Sequence, residues 1–242
     1  MDKPDVSIIV PALNEEATIG EVVNRLLALP LRSQIVVVDD GSTDKTGWIL
    51  ASFGDRITTL RHETPRGKGA AIVDALEVCE GRVTIVQDAD LEYAPEQIPA
   101  LVQPILDGQA NVVFGTRFLH GMPAGMALPN KLVNKLLAWT VRGLFFRKVT
   151  DEATCYKALR TDLMRRMDLQ CVRFEFCPEV TAKAIRLGET IHERPIVYVP
   201  RGKAEGKKIR WNDAPEAFWT LARYRFWKPK PAVAAVREPE AA

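Results

Sequence analysis

The chain has 242 residues, of which 47% are hydrophobic and 26% are charged, a balance that suits one large α/β domain with a sizeable core. It contains no run that approaches the roughly 18 apolar residues of a membrane-spanning helix. Its start, MDKPDV, lacks the basic and then apolar pattern of a signal sequence. We therefore expect a protein that is neither secreted nor transmembrane.

The net charge of +2 conceals two basic blocks. Residues 108–150 contain no acid and six cations, namely Arg117, Lys131, Lys135, Arg142, Arg147 and Lys148. Residues 201–230 carry nine Lys and Arg against three acids. Basic faces of this kind attract phosphates or anionic surfaces, although a solvated basic surface would give the same composition.

The four cysteines show no C-x-x-C spacing, and three histidines are too few to build an obvious zinc site with them. We expect reduced, mostly buried thiols in a cytosolic protein.

Two strands open the chain, at residues 6–10 and 35–38. The first is followed by a predicted helix with Asn14 as its cap and Glu15 in its first turn. The second runs directly into Asp39 and Asp40. Carboxylates at that position can accept hydrogen bonds from a ribose hydroxyl or a base, but aspartates that only cap the turn would give the same sequence.

A third strand, residues 57–60, leads into RHETPRGKGAA, in which Gly67 and Gly69 flank Lys68 before an Ala-rich helix. A basic elbow that opens a helix amino terminus is a natural place for an anion. The segment does not match the phosphate-binding pattern G-x-x-x-x-G-K-[ST].

The strand at residues 83–86, VTIV, breaks off into Asp88 and Asp90. Ligands bind at the carboxyl edge of open α/β sheets. Two carboxylates two residues apart can turn there towards one hard divalent cation, which prefers oxygen ligands. The pair predicts a metal and diphosphate site, with an acidic turn as the alternative.

Strands that alternate with helices, up to a strand at 111–114 that ends in GTRF, predict a doubly wound, mostly parallel sheet. Residues 129–146 form an amphipathic helix that either lies on a membrane or packs on its own domain.

We expect a strand or turn at 151–160, a helix at 174–188, a strand at 191–199 and a last amphipathic helix at 214–227. The predicted boundaries are a main domain over 1–200, a basic loop and helix over 201–228, and a disordered tail over 229–242.

These blocks together resemble family 2 glycosyltransferases of the GT-A fold, and most closely the dolichol-phosphate mannosyltransferase group. IIVPALNEE resembles the opening nucleotide segment, VVVDDGSTD the second one, QDADLE the metal motif, and GTRF the segment that supplies an arginine near the acceptor. DEATCYKALR, FEFCPEV and YVPRGKAEGKK resemble the later blocks in the same order. The resemblance covers residues 6–208 and implies that the main domain is catalytic.

The resemblance also implies roles for individual residues. Donor binding falls to Pro11, Leu13, Glu15, Val38, Asp40, Asp88, Ala89, Arg201 and Lys207. Mg²⁺ or Mn²⁺ is expected on Asp88, Asp90 and Glu92, and the catalytic residues are expected to be Asp90 and Arg117. The acceptor phosphate is assigned to Arg117 and Lys131, since no second arginine occurs near 126–130. Leu13 departs from the family, because the guanosine-binding members typically have an aromatic residue there.

The implied reaction is metal-dependent and inverting. It moves mannose or glucose from GDP-mannose or UDP-glucose to a dolichyl or undecaprenyl phosphate, with the loop at 201–208 closing over the diphosphate. A lipid monophosphate is largely ionised near pH 7 and needs no carboxylate base. The Glu-Asp dipeptide of hydroxyl-acceptor relatives is absent.

The expected partners are the nucleotide sugar, the polyprenyl phosphate, the cytoplasmic face of a membrane bound peripherally, and a membrane protein, but no nucleic acid. Two alternatives remain open. One is a family 2 enzyme that acts on a sugar hydroxyl in polysaccharide or glycolipid assembly. The other is a non-catalytic nucleotide- or lipid-binding partner of a membrane enzyme.

Overall fold

The computed structural model describes residues 3–119, 126, 128–199 and 214–229. Arg201, Lys207, the predicted closing loop and nearly all of the predicted tail lie outside the described residues.

A single sheet organises the described part of the chain. Its seven strands are β1 (Val6–Ala12), β2 (Ser33–Asp39), β3 (Thr58–Arg61), β4 (Val83–Val86), β5 (Val112–Thr116), β6 (Lys157–Arg160) and β7 (Ile191–Pro195). Their order across the sheet is β3-β2-β1-β4-β6-β5-β7. Strand β6 runs antiparallel to both of its neighbours, and all other pairs are parallel. The predicted mostly parallel sheet is confirmed.

The helices that flank the sheet are α1 (Ile19–Leu27), α2 (Thr46–Ala51), α3 (Lys68–Val78), α4 (Ile98–Leu106), α5 (Leu128–Phe145), α6 (Thr161–Arg166), α7 (Phe176–Arg186) and α8 (Ala214–Tyr224). Short 3₁₀ turns lie at Gly54–Arg56 and Pro95–Gln97.

The centre of the sheet is buried on both faces, as expected of parallel strands covered by helices. Every residue of β4 is buried, and so are the last five residues of β2. The β-branched side chains of VTIV and IVVV suit a pleated surface that packs on both sides. This packing fixes the points at which polar side chains leave the sheet at its carboxyl edge.

The antiparallel direction of β6 has a consequence for that edge. Ala158 pairs with Ile85 of β4, and Lys157 pairs with Phe114 of β5. The residues that precede β6, Cys155 and Tyr156, therefore lie beside the carboxyl ends of β4 and β5.

The prediction that Asn14 caps the first helix was wrong. Helix α1 begins at Ile19, with Thr18 at the cap position. Asn14 lies in the left-handed region with φ 51°; its main-chain N–H donates to Ser42 Oγ at 2.9 Å, and its Oδ1 accepts from Thr43 N–H at 2.9 Å. Asn14 thus ties the loop after β1 to the loop after β2.

Helix α5 packs on the domain through one face only, which is formed by Asn134, Leu137, Val141 and Phe145. None of the helices in the described ranges combines the length and the apolar content that crossing a bilayer requires. All four cysteines are free thiols, and three of them are buried, as predicted.

Candidate active site

A cavity of about 180 Å³ opens at the carboxyl edge of β4 and β5. We call it the edge cavity. Its polar floor comes from the loops after these strands and from the segment before β6, and its apolar walls come from α5, from the start of α7 and from α8. It is lined by Asp88, Asp90, Glu92, Arg117 and Cys155, among others. The structure therefore brings together the predicted metal acids and the predicted acceptor arginine.

The three acids lie on a tight turn after β4. Glu92 N–H donates to Asp90 Oδ1 at 3.0 Å, and Leu91 between them adopts a left-handed conformation with φ 60°. A bulky residue in that conformation is uncommon and marks local strain, which is frequent at functional sites. The turn directs Asp88, Asp90 and Glu92 towards the same cavity.

Lys68 forms an ion pair with Asp88 at the floor of the cavity. Its ammonium also lies 3.2 Å from Cys155 Sγ, which in turn lies 3.3 Å from Asp88 Oδ1. Burial would lower the pKa of Lys68, but the charge and hydrogen bond of Asp88, together with the nearby Cys155 and Cys177, outweigh burial and raise that pKa well above its ordinary value. Lys68 is therefore a fixed positive charge beside the carboxylate that is expected to bind metal.

Burial, together with repulsion from Asp88 and Glu92, raises the pKa of Asp90 to about 7. A divalent cation would relieve this crowding of negative charge, and the oxygen donors suit Mg²⁺ or Mn²⁺. Within the described residues, no group of three or more His, Cys, Asp or Glu side chains is arranged to hold a metal. The carboxylate of Glu92 accepts instead from Tyr198 OH at 3.1 Å. The residues present fit an ion that takes its remaining ligands from substrate phosphates and water.

Arg117 leaves the end of β5 and is held by Asp151. The guanidinium donates from Nε to Oδ2 and from Nη2 to Oδ1, both at 2.7 Å, and Nη2 also donates to Asn134 Oδ1 at 3.2 Å. None of these bonds uses Nη1. The ring of Tyr198 lies 5.2 Å from the guanidinium carbon. The arginine is thus fixed in orientation at the wall of the edge cavity.

Lys131, the second predicted acceptor residue, lines a different cavity on the other side of α5. The structure does not bring Lys131 and Arg117 to one cavity, and the role of Lys131 stays a prediction.

The predicted nucleotide residues lie at the neighbouring edge of β1 and β2. Pro11, Leu13 and Glu15 are half-buried, whereas Val38 is fully buried, so only its main chain can line a ligand. Ala89 is buried beside the metal acids.

Asp40 is engaged by its own loop. Its Oδ1 accepts from Arg66 N–H at 2.8 Å and lies 2.6 Å from His62 Nδ1, and its Oδ2 accepts from Gly67 N–H at 2.8 Å. Asp39 differs, because its buried Oδ2 has no hydrogen-bond partner among the described residues but lies 3.4 Å from Nη1 of Arg61 in an ion pair. The resemblance implies donor binding by Asp40, whose two carboxylate oxygens are both engaged within the protein.

The predicted anion site at the start of α3 was wrong. Main-chain carbonyls already accept from the N–H groups at the start of the helix. Gly69 N–H donates to the carbonyl of Arg173 at 2.8 Å, and Ala70 N–H donates to that of Val172 at 3.0 Å. A Cβ at position 69 would lie 2.7 Å from the carbonyl carbon of Cys171, which explains the glycine. The segment from Gly67 to Gly69 packs against residues 171–173 and places Lys68 next to Asp88.

Four residues that contact the predicted site residues were not predicted from the sequence: Lys68, Asn134, Asp151 and Tyr198. The block DEATCYKALR, which is predicted as a strand or turn and resembles a later block of the family, carries Asp151 and Cys155. An acid within an otherwise basic region, after the acid-free residues 108–150, was the available signal.

A sequence model of the family described as Glycosyl transferase family 2 matches residues 7–167. The undecaprenyl-phosphate mannosyltransferase of Micrococcus luteus is 30% identical over 215 residues, which cover 84% of this chain and 86% of that protein. The dolichol-phosphate mannosyltransferase of Pyrococcus furiosus is 26% identical over 209 residues, which cover 84% of this chain. The match spans only 58% of the length of the Pyrococcus protein.

Among solved structures, a glucosyl-3-phosphoglycerate synthase from Mycobacterium tuberculosis, in complex with Mn²⁺, UDP-glucose and phosphoglyceric acid, matches with a TM-score of 0.72. The two chains are 22% identical, and the match covers 94% of this chain and 81% of the other. That likeness shows the fold and confirms the predicted GT-A architecture. The chain belongs to glycosyl transferase family 2.

Proposed function

We propose that this protein transfers a hexose, mannose or glucose, from GDP-mannose or UDP-glucose to a polyprenyl phosphate such as dolichyl or undecaprenyl phosphate. The observation that supports the proposal is the edge cavity, which is lined by two carboxylates, an oriented arginine and apolar side chains. The names of the Micrococcus and Pyrococcus relatives agree with this acceptor class.

On the donor side, Asp88 and Asp90 would hold Mg²⁺ or Mn²⁺, with Glu92 beside them. When bound, the ion would neutralise the charge that develops on the leaving diphosphate. The positive charge of Lys68 lies beside Asp88 and so limits the repulsion among the acids. Arg201 and Lys207 are proposed to contact the diphosphate from the loop that closes over it.

On the acceptor side, Arg117 would bind the lipid phosphate. Asp151 and Asn134 hold its guanidinium plane through Nε and Nη2, which leaves the N–H groups of Nη1 to donate to phosphate oxygens. The phosphate attacks as an ionised nucleophile, so no side chain has to remove a proton. Walls that include Val133, Leu137 and Phe176 would cover the first isoprene units.

The acceptor lies in a bilayer, so the proposal includes peripheral binding at the cytoplasmic face of a membrane. A membrane-protein partner is compatible with it but is not needed for the chemistry.

One observation favours the alternative acceptor, a sugar hydroxyl. Glu152 lines the edge cavity, its Oε2 has no hydrogen-bond partner among the described residues, and burial raises its pKa to about 7. A carboxylate with that pKa could act as the base that a hydroxyl nucleophile requires.

The donor part of the proposal is tested by thermal stabilisation of the purified chain with Mn²⁺ and GDP, UDP or their sugars, since a ligand that binds only the native state raises the melting temperature. The sugar nucleotide that stabilises the protein is then supplied with a labelled sugar. When farnesyl phosphate is added, the label should enter a butanol-extractable lipid. No stabilisation by any of these nucleotides, or no label in the lipid, would contradict the proposal.

A further inference from the structure

A second cavity, of about 270 Å³, lies on the side of α5 that faces away from the edge cavity. We call it the basic cavity. Four cations line it, Lys131, Lys135, Arg142 and Lys148, together with Trp139 and Thr150. No described residue that lines it is acidic, and it shares no described lining residue with the edge cavity. Four like charges around one concavity repel each other, so their arrangement favours an anionic ligand.

The surface beside the basic cavity is apolar. Leu132, Leu136 and Trp139 lie three or four residues apart on α5 and therefore share one face of the helix. Leu132 and Trp139 are each 58% exposed, and Phe146 just beyond the helix is 82% exposed. This face is opposite to the buried face that packs on the domain. A freely dissolved phosphate would fill the basic cavity but would leave this apolar face in water.

An anionic bilayer matches both features at once. Apolar side chains of an interfacial helix enter the region between headgroups and acyl chains, while cations beside them contact lipid phosphates. Lys135 already lies over the ring of Trp139, with its ammonium 5.1 Å from the ring centroid. The cation and the aromatic ring are thus adjacent, as they would be at a membrane interface, where an apolar ring body and a polar head are both accommodated.

We propose that the basic cavity binds the phosphate of an anionic phospholipid headgroup, such as phosphatidylglycerol, while Leu132, Leu136 and Trp139 enter the bilayer beside it. The site is separate from the catalytic one; it rests on the proposed peripheral binding at a membrane but not on which acceptor the enzyme uses. It would hold the chain on the membrane with a defined face of α5 towards the lipid.

The test is flotation of the full chain with two kinds of vesicle, pure phosphatidylcholine and equal parts phosphatidylcholine and phosphatidylglycerol. The double variant Lys135→Gln/Arg142→Gln should lose about twentyfold to thirtyfold in affinity for the anionic vesicles, since each cation near such a surface contributes about fivefold. The matched control is Lys45→Gln/Arg56→Gln, which removes two exposed cations near α2 and should bind like wild type.

The apolar part is tested by Trp139→Ala against Trp48→Ala, since Trp48 is 75% exposed but lies on α2. Only Trp139→Ala should weaken vesicle binding. Transfer to a soluble short-chain acceptor should be unchanged in Lys135→Gln/Arg142→Gln, which separates membrane binding from catalysis.

Equal vesicle affinity for the two double variants would overturn the proposal. It would also be overturned if inorganic phosphate competed with the vesicles at millimolar concentration and Trp139→Ala had no effect, because the ligand would then be a soluble anion.

Discussion

Arg117 and Asp151 form a bidentate ion pair, with Nε and Nη2 of the guanidinium each 2.7 Å from a carboxylate oxygen. Asp151 is fully buried, and the side chain of Arg117 is only 8% exposed. The pair joins the end of β5 to the segment before β6 at the wall of the edge cavity. It therefore supports the fold and orients the proposed phosphate-binding group.

Asp151→Asn should destabilise the protein by about 3 kcal/mol or more, because it leaves a buried guanidinium without its counter-charge. Arg160 and Asp162 offer a matched control, since they form the same kind of pair with side chains that are 52% and 61% exposed. Asp162→Asn should cost less than about 1 kcal/mol. Urea unfolding of the two variants measures the difference, and equal losses would show that burial does not decide the strength of these pairs.

Arg117→Lys should lower turnover by about a hundredfold, although it keeps the charge, because lysine cannot form the planar two-bond contact with Asp151 that orients the cation for the phosphate. The expected loss is mainly in kcat/KM for the acceptor, with the KM for the donor unchanged. Steady-state kinetics with each substrate varied in turn measure this. A variant with the acceptor kinetics of the wild type would remove Arg117 from the acceptor site.

Asp88→Asn and Asp90→Asn should each abolish transfer while the protein stays folded, and chelator should do the same to wild type. The exposed Asp55 provides the control variant Asp55→Asn, which should keep full turnover. Activity titrated with Mn²⁺ measures the effect. Near-normal turnover of wild type in chelator would refute the metal assignment.

Asp90 also predicts a dependence of stability on pH. Its folded-state pKa of about 7 lies above its unfolded value, so the folded state binds more protons between these two values, and stability falls as pH rises from about 4 through about 7. In the absence of metal, Asp90→Asn should therefore be more stable than wild type at about pH 8, by about 1 kcal/mol or more. Thermal unfolding in chelator across this pH range measures the effect. If Asp90→Asn were less stable than wild type at about pH 8, the ionised carboxylate of Asp90 would not be destabilised by its neighbours.

Gly69→Ala should cost about 1–3 kcal/mol, because the added methyl group would lie within 2.8 Å of the Val172 main chain, which cannot move freely. Gly143 in α5 is the control, since a Cβ there meets no atom within 4 Å. Gly143→Ala should be neutral or gain up to about 1 kcal/mol from helix propensity. Similar melting temperatures for the two variants would show that the contact between α3 and the 171–173 segment is not tight.

The sequence predicted the parts of the fold in which local pattern and tertiary burial agree. The β-branched run VTIV and the acids after it identified β4 and the carboxyl edge, because a strand buried on both faces has no polar interruption. Helix α6 was missed, since its six residues give too little periodicity to recognise.

The site was predicted less completely, because several of its contacts are long-range. Asp151 reaches Arg117 from 34 positions away, and Lys68 reaches Asp88 from 20 positions away. No local spacing reveals such pairs. The glycines around Lys68 predict an open anion site, but these positions require glycine because the 171–173 main chain passes close to them.

The proposed acceptor is a polyprenyl phosphate bound by Arg117, and the most direct measurement compares two acceptors with the same tail. Wild type should transfer sugar to farnesyl phosphate with a kcat/KM at least about a thousandfold above that for farnesol, because only the phosphate supplies an ionised nucleophile and a ligand for the guanidinium. Arg117→Lys should lose most of that preference. Comparable transfer to farnesol or to a free sugar, with Arg117→Lys unaffected, would contradict the account and favour the hydroxyl acceptor and Glu152.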